Sequence, residues 1–201
     1  FCGRSEEPLM SGSSLDVFPS IGAFLPGWLL VVPRRHVLAM THLTEGEQQD
    51  TSQLLVALNR DLEAEYGPGV VHFEHGSAGV GRAAGCGVDH AHLHVVPTDV
   101  DLVTAVLSLS DLDRPLSPIA SMSEATAAAS QGRDYLYLRD QDSQQWLLVD
   151  DELPSQVFRR ALAQQVGVQE WDWKANHRLE VYDETRRRVS ARLSLNMLRA
   201  G

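Results

Sequence analysis

The sequence of this 201-residue chain predicts a mixed fold of β-strands and α-helices. Short β-rich runs lie between prolines and glycines, as at 29–32, and such runs are typical of strands. Leucines recur at helical spacing between Leu54 and Leu62, which indicates an amphipathic helix. The hydrophobic fraction of 43% and the charged fraction of 22% are typical of a soluble globular protein with a buried core.

Two strands and a long helix come first in the chain. The strands are predicted at 15–18 and 29–32, where prolines and glycines flank apolar residues. The helix is expected to begin after Thr44, because Thr44 and Glu47 have the spacing of a capping box. It is expected to end at Gly67, which is followed by a proline.

A glycine-rich loop is predicted between two further strands. The first strand is expected at 70–73 and the loop at 76–87. The second strand is expected from His90 to Val96, where Pro97 stops it.

The second half of the chain is predicted to mix helices with one hairpin. The expected elements are a helix at 102–109 capped by Asp101, an alanine-rich helix opened by Ser121 and Glu124, a hairpin of strands 135–138 and 146–149, and helices at 154–166 and 179–192. No linker of glycine and serine separates the halves, so the second is expected to pack on the first.

The charge of the chain argues against a general nucleic-acid-binding role. A formal net charge of −10 would repel the phosphates of DNA or RNA. A local pocket on an acidic protein can still bind one phosphate group, so a small nucleotide remains a candidate ligand.

Cysteine usage and hydropathy indicate a cytoplasmic location without a membrane span. The two cysteines, Cys2 and Cys86, are too few for a disulfide scaffold in a chain of this length. No apolar run approaches the ~20 residues that a membrane-spanning helix needs.

Three alternating histidines carry the chemistry that the sequence predicts. His90, His92 and His94 would share one face of a strand, because side chains two residues apart point the same way. Histidine has no packing advantage over valine or threonine there, so a catalytic row is the favoured interpretation. A metal site and a purely structural row are the alternatives. Gly85 and Gly87 favour phosphate chemistry, since glycine lets backbone amides approach an anion closely.

The segment 89–96, with its pattern of histidines separated by apolar residues, resembles the motif of the histidine-triad family. The segment 26–36 is similar to that family's second strand, and the resemblance covers roughly residues 1–100. It implies an α+β fold with a five-stranded antiparallel sheet, often paired into a homodimer. It also implies an enzyme, a nucleotidyl hydrolase or transferase, that needs no cofactor for catalysis.

The resemblance assigns a role to each histidine of the row. His92 matches the nucleophile that attacks the α-phosphorus and becomes nucleotidyl-histidine. The backbone carbonyl of His90 would orient its ring. His94 would hydrogen-bond the phosphate and help the leaving group depart, while Gly85 and Gly87 would lie in the loop that approaches the phosphate.

The chain departs from the family pattern around the nucleoside. Trp28 stands where many members have a histidine, and Ser20 stands where many have an acidic residue for the ribose. The family's usual asparagine is replaced by Glu74 or His75. Ser20, Trp28 and Glu74 are therefore expected to line the substrate site, with Glu74 contacting the sugar hydroxyls.

A structural zinc site is a further implication of the resemblance. Many members begin with a Cys-x-x-Cys pair and complete a zinc site with two histidines. Cys2 would be the second cysteine of such a pair, and His36 and His90 the two histidines. Four nitrogen and sulfur ligands suit zinc.

The carboxy-terminal half contributes two further candidates. Arg159 and Lys174 are weighed as contacts to an anionic substrate, but a solvated helix position for Arg159 is favoured. The predicted division is a histidine-triad domain at 1–114 and a C-terminal α/β extension at 115–201 packed on it.

The predicted function is hydrolysis or transfer of a nucleoside monophosphate group at an α-phosphate. The partner is a small nucleotide or a nucleotide conjugate. One alternative is a nucleotide-binding module with little turnover. Another is a specialised phosphorylase or transferase acting on a non-standard nucleotide.

Overall fold

The computed structural model describes residues 7–112 and 114–200, with side chains as far as Arg192. The strands are β1 (Met10–Ser11), β2 (Leu15–Pro19), β3 (Leu29–Pro33), β4 (Val70–Gly76), β5 (Leu93–Pro97), β6 (Ser117–Ile119), β7 (Tyr135–Arg139) and β8 (Gln145–Val149). The helices are α1 (Glu45–Tyr66), α2 (Leu102–Leu107), α3 (Ser123–Ser130), α4 (Val157–Val166) and α5 (Leu179–Ala200).

The eight strands form one antiparallel sheet in the order β1-β2-β3-β5-β4-β7-β8-β6. Strands β1 to β5 make up a five-stranded antiparallel part, which confirms the α+β class and its predicted sheet. The extension adds its three strands to the same sheet, because β7 pairs with the outer edge of β4. The predicted hairpin is confirmed as β7 and β8.

Helices cover the sheet on both faces. On one face α2 and α4 pack over a core that includes Trp28 and Phe73. On the other face α1 and α3 pack over a core that includes Val31 and Val95. Because neighbours along a strand point to opposite faces, each strand supplies both cores.

The first helix begins and ends where the sequence predicts. The Glu47 amide donates to Thr44 Oγ1 over 3.4 Å, and the Thr44 amide donates back to the Glu47 carboxylate over 2.8 Å. Gly67 ends α1 with φ at +101°, a conformation that side chains disfavour. These local bonds fix the helix bounds independently of the rest of the fold.

The strand predicted at His90–Val96 is shorter, since β5 begins at Leu93. The β3–β5 pairing ends with Val31 opposite Leu93. The same register would bring Ala91 opposite Pro33, which lacks an amide hydrogen and cannot donate to the ladder. The Ala91 amide donates instead to the Val37 carbonyl over 2.7 Å. His90 and His92 therefore lie on an extended segment just before the strand.

Two predicted helix starts are wrong. The alanine-rich helix begins at Ser123, and Ser121 does not cap it, because its hydroxyl is bonded to the Ser123 hydroxyl. Helix α4 begins at Val157 rather than Pro154, because Gln156 before it is left-handed with φ at +58°. Within the described ranges, each helix is too short or too polar to cross a membrane.

Candidate active site

A cavity of about 510 Å³ opens between the five-stranded part and the extension. Five histidines in or near strands β3, β4 and β5 line it: His36, His75, His90, His92 and His94. Ser20 and Gly87 also line it, and the extension supplies Gln156, Arg159 and Trp173. Imidazoles, a guanidinium and an indole therefore face one space.

His92 is held in a defined tautomer. Its Nδ1 lies 2.9 Å from the backbone carbonyl oxygen of His90. A carbonyl only accepts, so Nδ1 carries the proton and the lone pair of the neutral ring is on Nε2. Burial lowers the pKa of His92 to about 4, which keeps the imidazole neutral near pH 7.

His94 is held in the opposite tautomer. The indole Nε1 of Trp28 donates to His94 Nδ1 over 2.9 Å, and an indole N–H only donates. The proton of the neutral ring is therefore on Nε2. Phe73 stacks on the ring with centroids 4.5 Å apart, and burial lowers the pKa of His94 well below its usual value. The ring centroids of His92 and His94 are 5.0 Å apart, so a ring with its lone pair on Nε2 neighbours a ring with its proton on Nε2.

The His90 side chain points away from this pair toward His36. Its Nε2 donates to the Pro33 carbonyl over 2.7 Å, which puts the lone pair on Nδ1. That Nδ1 lies 3.3 Å from Nδ1 of His36. His90 therefore contributes its carbonyl to His92 and its ring to a second histidine.

The His36–His90 pair fits half of a zinc site. Two nitrogens bound tetrahedrally to one zinc ion would lie about 3.4 Å apart, close to the separation of these two. Cys2, the third predicted ligand, lies outside the described residues. Among residues that are described, no group of three or more potential metal ligands occurs.

Two cavity residues were not predicted as site residues. His75 is buried at 7% exposure, and neither ring nitrogen has a hydrogen-bond partner within the described part of the chain. Arg159 is 4% exposed, contrary to the solvated position that the sequence favours. The sequence did carry a signal for this burial, because Arg159 lies between Phe158 and Leu162, at the border of the apolar stripe of α4.

Residues 13–101 match the sequence model described as the HIT domain. This part of the chain is a HIT domain. The resemblance to the histidine-triad family drawn from the sequence is thereby confirmed. No curated protein matches the chain significantly.

Solved structures similar to the chain include two proteins described as histidine-triad or Hit-like and one phosphorylase. A zinc-bound histidine triad family protein from Mycobacterium smegmatis is 20% identical, with 62% of this chain and 84% of that chain covered and a TM-score of 0.37. A Hit-like protein from Bartonella henselae is 12% identical, with 62% of this chain and 82% of that chain covered and a TM-score of 0.37. Yeast Ap4A phosphorylase in complex with AMP is 11% identical, with 82% of this chain and 72% of that chain covered and a TM-score of 0.42.

The two predicted glycines of the HIT domain differ in position. Gly87 lines the cavity with φ at +81°, and a methyl group there would lie 2.5 Å from Nζ of Lys174. Gly85 does not line the cavity, so its predicted contact with the phosphate is wrong. It lies in a one-turn 3-10 helix, where its amide donates to the Arg82 carbonyl over 3.2 Å and is not available to an anion.

Glu74 of the HIT domain faces away from the cavity, contrary to prediction. Because Phe73 and His75 point into the cavity, the alternation of β4 directs Glu74 to the opposite face. There its carboxylate accepts from the Met40 amide and from the Tyr135 hydroxyl, each over 2.7 Å. Burial raises the pKa of Glu74 to about 7.

The other two predicted nucleoside residues lie near the cavity in different ways. Ser20 lines it, and its hydroxyl accepts from Arg159 over 3.3 Å. Trp28 is fully buried beneath His94 and does not line the cavity. Its prediction as a substrate contact is therefore wrong, because its ring is enclosed by Phe24 and Phe73.

Proposed function

We propose that this chain hydrolyses or transfers a nucleoside monophosphate group through a nucleotidyl intermediate on His92. The observation that carries the proposal is the 2.9 Å bond from His92 Nδ1 to the His90 carbonyl. It puts the lone pair on Nε2 of a ring that lines the cavity. A neutral nitrogen held this way is a prepared nucleophile.

The reaction then has two steps. In the first, His92 Nε2 forms a bond to the α-phosphorus while the bond to the leaving group breaks, and the leaving group keeps the electron pair. In the second, the oxygen of water or another acceptor forms a bond to the phosphorus and releases its proton to solvent, while the phosphorus–nitrogen bond breaks and its electron pair returns to His92 Nε2. The Nε2–H of His94 donates to the phosphate or the departing oxygen, where negative charge develops.

Mass spectrometry of the quenched reaction tests the mechanism. A panel of nucleotides and nucleoside phosphoramidates is expected to leave one nucleoside monophosphate on the peptide that contains His92. H92A should abolish both adduct and turnover, whereas H42A, which removes an exposed histidine, should change neither. Normal turnover by H92A would exclude this mechanism, and binding without an adduct would favour a nucleotide-binding module.

We also propose a structural zinc ion held by Cys2, His36 and His90. The close approach of the two Nδ1 atoms supports it. Zinc there would tie the amino-terminal segment to the segment that carries the His90 carbonyl. Its contribution would be to hold this carbonyl in place, and catalysis would not pass through the metal.

The homodimer stays a prediction, and the sheet restricts how it forms. In a five-stranded sheet ending at β4, that strand would offer an edge to a second copy. In this chain β7 occupies that edge. A homodimer must therefore use another surface.

A further inference from the structure

Arg159 is a buried cation for which the described residues provide no ion pair. One of its terminal nitrogens donates to the Gly22 carbonyl over 2.5 Å and the other to the Ser20 hydroxyl. Asp172 acts on its charge only from beyond ion-pair distance, and accepts from the Gln156 side chain and the Lys174 amide. A buried charge is expensive unless an opposite charge compensates it.

The guanidinium still has donors for a ligand. Of its five N–H groups, the bonds to Gly22 and Ser20 use two. The group lies over the ring of Trp28, 4.4 Å from its centroid, and the same indole donates to His94. A planar guanidinium with spare donors suits the paired oxygens of a phosphate.

His75 adds an unsatisfied donor to the same wall. Its ring packs edge-on against Phe158, with centroids 5.1 Å apart, and lies 6.4 Å from the ring of His94. Both ring nitrogens are buried without a partner in the described structure. Buried polar groups are nearly always hydrogen-bonded, so such a group in a cavity points to a ligand.

We infer that Arg159 and His75 form a second anion subsite, beside the phosphate that His92 attacks. It takes a tetrahedral oxyanion, either the next phosphate of the substrate or free inorganic phosphate. In the first case this group departs with the electron pair of the broken phosphorus–oxygen bond. In the second its oxygen forms the new bond as the bond to His92 breaks. The location of the subsite rests on the proposed function.

Binding without turnover tests the subsite. AMP and the non-hydrolysable α,β-methylene-ADP are titrated calorimetrically into the wild type, R159Q and R160Q. We expect the wild type to bind α,β-methylene-ADP at least tenfold tighter than AMP, and R159Q to reduce that ratio below threefold. R160Q is the matched control, because Arg160 is the next residue of α4 but pairs with the exposed Asp111.

Equal binding of the two nucleotides by the wild type, or an unchanged ratio in R159Q, would overturn the inference. Competition by inorganic phosphate against α,β-methylene-ADP but not against AMP would show that free phosphate enters the subsite. Its failure to compete would assign the subsite to the phosphate of the substrate.

A second variant covers the case in which R159Q does not fold. H75F keeps an aromatic ring against Phe158 and removes both nitrogens, and it should reduce the same ratio at least threefold. A full ratio in H75F would exclude His75 from the subsite. These binding measurements do not depend on turnover. If the subsite binds phosphate as expected while His92 forms no adduct, only the proposed function is refuted.

Discussion

The indole N–H of Trp28 points at Nδ1 of His94, with the two nitrogens 2.9 Å apart. This bond makes Trp28 a positioning residue that selects which nitrogen of His94 carries the proton. We expect W28F to leave that choice open and to lower kcat about five- to tenfold, in line with the loss of one hydrogen bond. H94A, which removes the donor itself, should slow turnover about 10²–10⁴-fold.

Nitrogen NMR of labelled histidine separates positioning from packing in W28F. The wild type should show His94 as the Nε2–H tautomer, and W28F should show a mixture. W146F is the control, since the indole of Trp146 donates to Asp140 at a distant hairpin. An unaltered tautomer in W28F would contradict the assignment even if the rate fell.

Gly87 is predicted to matter for binding more than for folding. G87A brings a methyl group within 2.5 Å of Nζ of Lys174, so the lysine side chain must move next to the cavity-lining Gly87, and nucleotide affinity should fall about tenfold. G81A is its control, because Gly81 also has a positive φ but has open space around it. Both variants should lose about 1–3 kcal/mol of unfolding free energy from backbone strain. Equal nucleotide affinities of G87A and G81A would contradict the role of Gly87.

Glu74 is predicted to make folding stability fall as the pH rises. Its pKa of about 7 in the folded protein exceeds the value of 4.5 for an ordinary glutamate. The folded state therefore holds the proton more tightly, and its stabilising effect is complete below pH 4.5 and lost as the pH passes 7. The loss is on the order of 3 kcal/mol.

Denaturant unfolding from pH 4 to 8 checks this prediction. E74Q mimics the protonated side chain, so it should match the wild type near pH 4 and exceed it near pH 8. E63Q, at an exposed position, should follow the wild type throughout. Parallel curves for E74Q and the wild type would contradict the raised pKa. Since Glu74 faces away from the cavity, E74Q should alter ribonucleotide and deoxyribonucleotide binding equally.

One zinc ion per chain is predicted for protein with its full amino terminus. Because Cys2 and His36 are proposed ligands, C2S and H36A should each lower the zinc content measured by elemental analysis. C86A should retain it, since Cys86 bonds to the Gln156 amide and takes no part in the site. Wild-type protein prepared without chelators that contains no zinc would remove the proposal.

Local patterns made much of this site predictable. The two-residue spacing of His90 and His92 suffices to bring Nδ1 of His92 to the backbone carbonyl of His90. The capping box at Thr44 likewise depends only on residues three apart. Such features are set by backbone geometry, so a sequence pattern specifies them directly.

The misplaced residues depend on contacts between distant parts of the chain. Glu74 is directed to Tyr135 by the pairing of β4 with β7, which are some sixty residues apart in sequence. Arg159 is enclosed because α4 packs over the face that carries Trp28. Neither arrangement follows from a sequence pattern within one segment. The sequence therefore predicted that Glu74 contacts the substrate and that Arg159 is exposed to solvent.

The pairing of β7 with β4 also determines how the chain can be divided. A fragment ending at residue 114 would leave the β4 amides and carbonyls of 72–76 without partners, on a strand whose side chains are buried on both faces. An unpaired strand edge of this kind is a template for aggregation or for swapping of strands between molecules. Strand β7 of the extension thus covers this edge of β4 within the same molecule. A recombinant HIT fragment without it should self-associate, whereas the full chain should melt in a single cooperative transition.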